Sequence, residues 1–202
     1  HRLSSAASDV YKRQDDYMSA AYDILPDDFC SNCDGVEIIA GNTVYAVDLS
    51  DPGNNENGIT IATQLADITT YKDGLTSLAD MNDDGLMDVV VVAADKIDCY
   101  PNSGGPLANA FVYIWDPRTG NLIAPKQYIM IGENVIGKAG GRATIADFDG
   151  DGENEISLVS SRCLVLFEKD LTQKWRFFSW DGSSHNDWRK RHRKSWGKSY
   201  NS

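Results

Sequence analysis

Asp147-Phe148-Asp149-Gly150-Asp151-Gly152-Glu153-Asn154-Glu155, followed at once by Ile156-Ser157-Leu158-Val159, decides how the rest of this chain is read. Acids stand at positions 1, 3 and 5, glycine at 6 and a further acid at 9. A second stretch has the same grammar: Asp80-Met81-Asn82-Asp83-Asp84-Gly85-Leu86-Met87-Asp88, followed by Val89-Val90-Val91-Val92. Both fit D-x-[DN]-x-D-G-x-x-[DE]. Side-chain oxygens at positions 1, 3 and 5 converge when the chain turns tightly around one point. Glycine at 6 permits that turn, and the main-chain carbonyl at 7 adds another oxygen. Hard oxygen donors without nitrogen or sulfur select Ca²⁺ over zinc or copper. The candidate ligands are therefore Asp80, Asn82, Asp84, Leu86 and Asp88 in one loop, and Asp147, Asp149, Asp151, Glu153 and Glu155 in the other. The 147–155 loop offers four side-chain carboxylates, whereas the 80–88 loop offers three and the neutral Asn82. The 147–155 loop is predicted to bind more tightly.

The EF-hand shares the first half of this pattern but needs a bidentate Glu at position 12. Val91 and Leu158 occupy that place here. The closing acid comes at position 9 and is followed by an apolar, partly β-branched run. That excludes an exiting helix and predicts a loop joining two strands.

Working outward, the loops belong to a repeat. Asp34-Gly35-Val36-Glu37-Ile38-Ile39-Ala40 precedes Thr43-Val44-Tyr45-Ala46-Val47-Asp48. Asp84-Gly85 and its valine run precede Phe111-Val112-Tyr113-Ile114-Trp115-Asp116, and Asp151-Gly152 with its run precedes Cys163-Leu164-Val165-Leu166-Phe167-Glu168. Each unit is Asp-Gly, an acid, a strand-like run, a turn and a second apolar, strand-like run. The Asp-Gly pairs lie 50 and 67 residues apart, too irregular for a solenoid and suited to sheets with variable loops. The continuous run Val89-Val90-Val91-Val92 predicts a strand covered on both faces. Segments 55–66 and 123–131 are predicted outer strands. Pro117-Arg118-Thr119-Gly120 and Asp51-Pro52-Gly53-Asn54 are turn signals, and residues 99–109 read as an excursion loop. One helix is expected, over residues 15–24, stopped by Pro26.

These units resemble the FG-GAP/VCBS-type repeats of integrin-like β-propellers, in which such a calcium loop links strands within each blade. Leu78-Ala79-Asp80 and Ile145-Ala146-Asp147 match the strand entering the loop, and Gly140-Gly141-Arg142-Ala143-Thr144 stands where the family has a small-residue turn. The likeness covers about residues 30–178. The literal Phe-Gly and Gly-Ala-Pro signatures are absent, and the first unit keeps only Asp34-Gly35 and Glu37. The resemblance implies an all-β fold: an incomplete β-propeller of two to three blades. Residues 30–72 would form a degenerate first repeat, 73–139 a second with its calcium loop, and 140–184 a third, partial repeat with another. It also implies a secreted or cell-surface protein, extracellular or periplasmic, working in adhesion or ligand binding without catalysis. Its partners would be an unidentified protein or carbohydrate and the rest of a larger propeller or polypeptide. The alternative is the propeller of a calcium-dependent polysaccharide lyase or hydrolase. A quinoprotein-like propeller, hinted at by Asp170-Leu171-Thr172-Gln173-Lys174-Trp175, lacks regularly spaced Trp.

Composition bounds these alternatives. The chain has 202 residues, 42% hydrophobic and 24% charged, which reads as globular. Its net charge of -11 is uneven: residues 185–202 hold six Lys/Arg against one Asp, a local +5, leaving -16 on the rest. A body that acidic repels nucleic acid and attracts cations. No apolar run reaches the ~18 residues of a membrane span. Residues 1–14 resemble a translated adapter and are expected to be a non-native leader, residues 15–29 a lead-in, and 185–202 a basic tail from a shifted frame.

Cys30-Ser31-Asn32-Cys33 reads as a local disulfide or a plain turn, since residues 15–184 contain no His to complete a zinc site. The same lack of His rules out a Ser-His-Asp triad there. Residues 132–139 imitate a phosphate-binding loop, but Ala139 replaces the hydroxyl residue and Gly140-Gly141 follows instead of a helix. Trp115, Trp175 and Trp180 could stack on sugars or pack between sheets.

Overall fold

The computed structural model describes residues 19–48, 58–95, 109–138, 141–160 and 163–178. The strands are β1 (Ala20–Tyr22), β2 (Glu37–Ala40), β3 (Thr43–Val47), β4 (Ile59–Gln64), β5 (Gly74–Ala79), β6 (Asp88–Ala94), β7 (Ala110–Asp116), β8 (Asn121–Tyr128), β9 (Met130–Gly132), β10 (Val135–Ile136), β11 (Thr144–Ala146), β12 (Glu155–Ser160), β13 (Cys163–Phe167) and β14 (Gln173–Phe178). They form three four-stranded antiparallel meanders, β1-β2-β3-β4, β5-β6-β7-β8 and β11-β12-β13-β14, and a two-stranded ribbon, β9-β10. No sheet closes on itself. The fold is all-β, with no helix among the described residues.

Residues 15–18 lie outside the described residues, and over the rest of the helix expected at 15–24 the structure has β1 instead. Ala20, Ala21 and Tyr22 pair with Ile39, Ile38 and Glu37. A ten-residue helix is marginal in water, whereas the open edge of β2 offers these residues ready hydrogen-bond partners. β1 draws the segment set apart as a lead-in into the first sheet. The third sheet also has four strands, as many as the other two. The ribbon β9-β10 occupies residues 130–136, so the first part of the phosphate-loop imitation, residues 132–136, belongs to a hairpin. The end segments 1–14 and 185–202, the turn at 51–54, Trp180 and residues 99–108 of the excursion loop lie outside the described residues.

The middle sheet explains the apolar run. Along β6, Val89, Val91 and Ala93 join a core with Ile39, Val44 and Ala46 of the first sheet. Val90 and Val92 join a core with Ile156, Leu158, Val165 and Phe167 of the third. β7 divides likewise: Phe111, Tyr113 and Trp115 face the first sheet, and Val112 and Ile114 the third. Successive side chains of a strand point to opposite faces, so a strand between two sheets is apolar throughout. All seven residues of β6 are buried.

Polar bonds tie the layers. Trp115 Nε1 donates to Gly41 O at 3.1 Å, and Gly41 N donates to Thr76 Oγ1 at 2.8 Å. Gly41, with φ of 58°, fills the two-residue turn between β2 and β3, where an added Cβ would meet the Asp73 backbone at 2.8 Å. Between the second and third sheets, Ser77 Oγ donates to Ala143 O at 2.8 Å and accepts from Arg142 Nε at 3.3 Å.

Trp115 is fully buried and combines apolar contact with a bond to the neighbouring sheet. Trp115→Ala is expected to cost about 3–5 kcal/mol of stability and Trp115→Phe distinctly less. Urea melts of the two variants beside the parent check the order. Equal, small losses would mean that Trp115 does not join the sheets.

Candidate metal site

Each large sheet opens its second strand with an acid: Glu37 in β2, Asp88 in β6 and Glu155 in β12. Each sits opposite the last residue of the preceding strand, in the pairs Tyr22↔Glu37, Ala79↔Asp88 and Ala146↔Glu155. All three side chains are at most 1% exposed. Each folds one oxygen back onto the N–H two residues past the preceding strand. Ile24 N donates to Glu37 Oε2 at 2.9 Å, Met81 N to Asp88 Oδ2 at 2.9 Å and Phe148 N to Glu155 Oε2 at 2.6 Å. Glu37 Oε2 also accepts from Leu25 N at 3.3 Å. The position-9 acids are therefore latches that close the loop, whatever else they bind. The first unit keeps this latch although, of the rest of the acidic pattern, it retains only Asp34-Gly35.

Above the latch, the 80–88 and 147–155 loops share one conformation. Positions 4 and 6 have positive φ in both: Asp83 at 62° and Gly85 at 83°, Gly150 at 81° and Gly152 at 94°. The position-1 acid accepts from the N–H of position 6, Gly85 to Asp80 at 2.8 Å and Gly152 to Asp147 at 2.9 Å. The position-5 acid accepts from position 7, Leu86 to Asp84 at 2.8 Å and Glu153 to Asp151 at 2.9 Å. Leu86 is exposed, and the Glu153 side chain pairs with Lys169 at 2.9 Å.

The two loops differ in what meets their remaining oxygens. In the 147–155 loop, Asp147, Asp149, Asp151 and Glu155 each bring a carboxylate oxygen within 4.8 Å of the others, a set that could hold a metal ion. Glu155 Oε1 is buried without a hydrogen-bond partner. An unpaired buried acceptor costs about 1–3 kcal/mol, more if charged, and a cation among these oxygens would remove the cost. Lys174 touches the cluster at Asp149, 2.7 Å away, and also pairs with Glu168 outside it at 2.7 Å. That lysine holds the Asp149 carboxyl below its ordinary range.

In the 80–88 loop, Asp80, Asp84 and Asp88 do not converge in this way. Arg118, from the turn between β7 and β8, reaches in. Its Nη2 lies 3.1 Å from Asp88 Oδ1 and 3.4 Å from Asp84 Oδ2, and its Nη1 donates to Met87 O at 3.2 Å. Burial pushes the Asp88 carboxyl up to about 6, against the opposing pull of the Met81 N–H and Arg118. The sequence marked residues 117–120 only as a turn. Its cation becomes visible once Trp115 is paired with Val89.

The loops also touch. Asn154 Nδ2 donates to Asp80 O at 3.1 Å, and Lys169 Nζ bridges Asp83 at 2.7 Å and Glu153. In the first sheet, the longer connection carries a Cys30–Cys33 disulfide, which settles the open alternatives for that motif.

Compared with known protein families, characterised proteins and solved structures, the chain has no significant match.

The latch is testable where no metal loop complicates it. Glu37→Ala leaves two buried N–H groups unpaired and is expected to cost about 2–5 kcal/mol, while Glu37→Gln keeps an acceptor and costs far less. Burial raises the Glu37 pKa above 4.5. Its contribution to stability is therefore fully present below 4.5 and lost as pH rises through the folded value. Glu37→Gln should accordingly gain on the parent between about pH 4 and about pH 7. Urea melts at both pH values measure this, and a parallel pair of stabilities would contradict it.

Proposed function

We propose that the chain is a calcium-binding β-propeller repeat module of a secreted or cell-surface protein, serving adhesion or ligand binding rather than catalysis. The observation that carries the calcium assignment is Glu155 Oε1, buried and unpaired beside Asp147, Asp149 and Asp151. The four carboxylates form an all-oxygen donor set, which suits calcium's large, flexible coordination shell. The ion would hold the loop closed and offset repulsion among crowded carboxylates. The four-stranded meanders, stacked face to face and each with an Asp-Gly connection or its remnant, support the likeness to FG-GAP/VCBS blades. The Cys30–Cys33 disulfide favours an oxidising compartment.

The outer faces support a larger assembly. The cross-strand row Val159–Leu164–Phe177 lies on the side of the third sheet away from the core, and Ile38–Tyr45–Ile61 on that of the first. Val159, Trp175 and Phe177 are 48%, 43% and 57% exposed. Three blades are fewer than the four to eight that close a propeller, and further blades would cover these rows.

Calcium is expected to raise the melting temperature, reflecting about 2.7 kcal/mol at a hundredfold excess over Kd. Glu155→Gln should abolish that gain while leaving the β-sheet circular dichroism intact. Identical melts of the parent with calcium and with EDTA would sink the assignment.

The propeller reading predicts self-association of the isolated chain in calcium, with binding of an apolar dye at the end sheets. Light scattering showing a sharp monomer, together with no dye binding, would overturn it.

A further inference from the structure

We infer that Arg118 is the resident cation of the 80–88 loop and keeps it free of metal, so that the chain takes up one calcium ion rather than two. The inference rests on the calcium reading of the 147–155 loop and deepens it. The two loops share their backbone conformation, latch and position-1 and position-5 hydrogen bonds. They differ at the oxygen that the latch leaves over. Glu155 Oε1 has no partner, whereas Asp88 Oδ1 is met by Arg118 at 3.1 Å. The same guanidinium contacts Asp84 and the Met87 carbonyl, and its Nε is 2.8 Å from Asp116 Oδ1. Its side chain is 13% exposed. A planar, permanently charged fork held at several points offsets the charge of Asp88 and bonds Asp84 as well. A divalent ion entering beside it would be repelled by the guanidinium and would have to displace it from the buried Asp88.

Strand register shows why the 147–155 loop has no such plug. Trp115 pairs with Val89 and Phe167 with Ile156, each immediately after the latch acid. Three residues past Trp115 stands Arg118, whereas three past Phe167 stands Asp170, which caps its own turn through Thr172. The other nearby cations are peripheral. Lys169 pairs with Asp83 and Glu153, and Lys174 with Asp149 and Glu168.

Calcium titration of the full chain by calorimetry, repeated with terbium luminescence, tests the inference. One ion is expected for the parent, two for Arg118→Gln, and one again for Arg118→Gln combined with Asp84→Asn. Circular dichroism confirms that each variant is folded. A parent that binds two ions overturns the inference and leaves the calcium reading standing. A parent that binds none overturns the calcium reading instead. An Arg118→Gln protein that stays folded and still binds one ion overturns the inference. Should that variant not fold, Glu155→Gln in the parent background decides. It is expected to bind no calcium, and a retained ion would place metal in the 80–88 loop despite Arg118.

Discussion

A carboxylate enters the second strand of each large sheet away from water and accepts the N–H of the residue two beyond the first strand. Buried charge is costly unless hydrogen-bonded, so the acid and the backbone it grips fix each other. The bond sets where the connection leaves one strand and enters the next. It thereby aligns the strand pair whose alternating faces make the cores. The adjacent apolar residues respond to it: Ile24 and Met81, two of the residues whose N–H is gripped, are themselves core members.

Around this common latch, the three connections are closed in three ways. The first, fourteen residues long, carries a disulfide. The second, of eight, receives a guanidinium from the next turn of its own sheet. The third, also of eight, gathers four carboxylates with one buried oxygen unpaired. A covalent link, a tethered cation and a set of acids that could hold a free cation answer the same problem, a tight polar loop that must hold its shape between strands. They respond differently to the surroundings. A disulfide follows redox conditions, an ion held by such acids would follow ion concentration, and an internal arginine follows neither.

The stacking makes these closures neighbours. Because the middle sheet packs on both faces, its loop lies against the loop of the third sheet. Asn154 bonds the Asp80 carbonyl across that boundary, and Lys169 joins the two acidic rims. Ordering the 147–155 loop therefore also steadies the backbone of the 80–88 loop at Asp80.

The sequence by itself determined the all-β class, the strand after each Asp-Gly connection and the two-faced burial of residues 89–92. Period, β-branching and glycine placement are local properties that act the same in any context. It also determined the shape of both acidic loops, because glycine or a turn-forming acid at positions 4 and 6 sets the backbone there. It did not disclose β1, since Ala20-Ala21 favours helix on its own and is made a strand by the edge of β2. Nor did it separate the two acidic loops beyond a count of carboxylates. What distinguishes them is Arg118, thirty residues from the acid it meets, against Asp170 at the matching place. Only the tertiary structure brings that cation to Asp88, because strand pairing, and not chain proximity, decides which turn overhangs which loop.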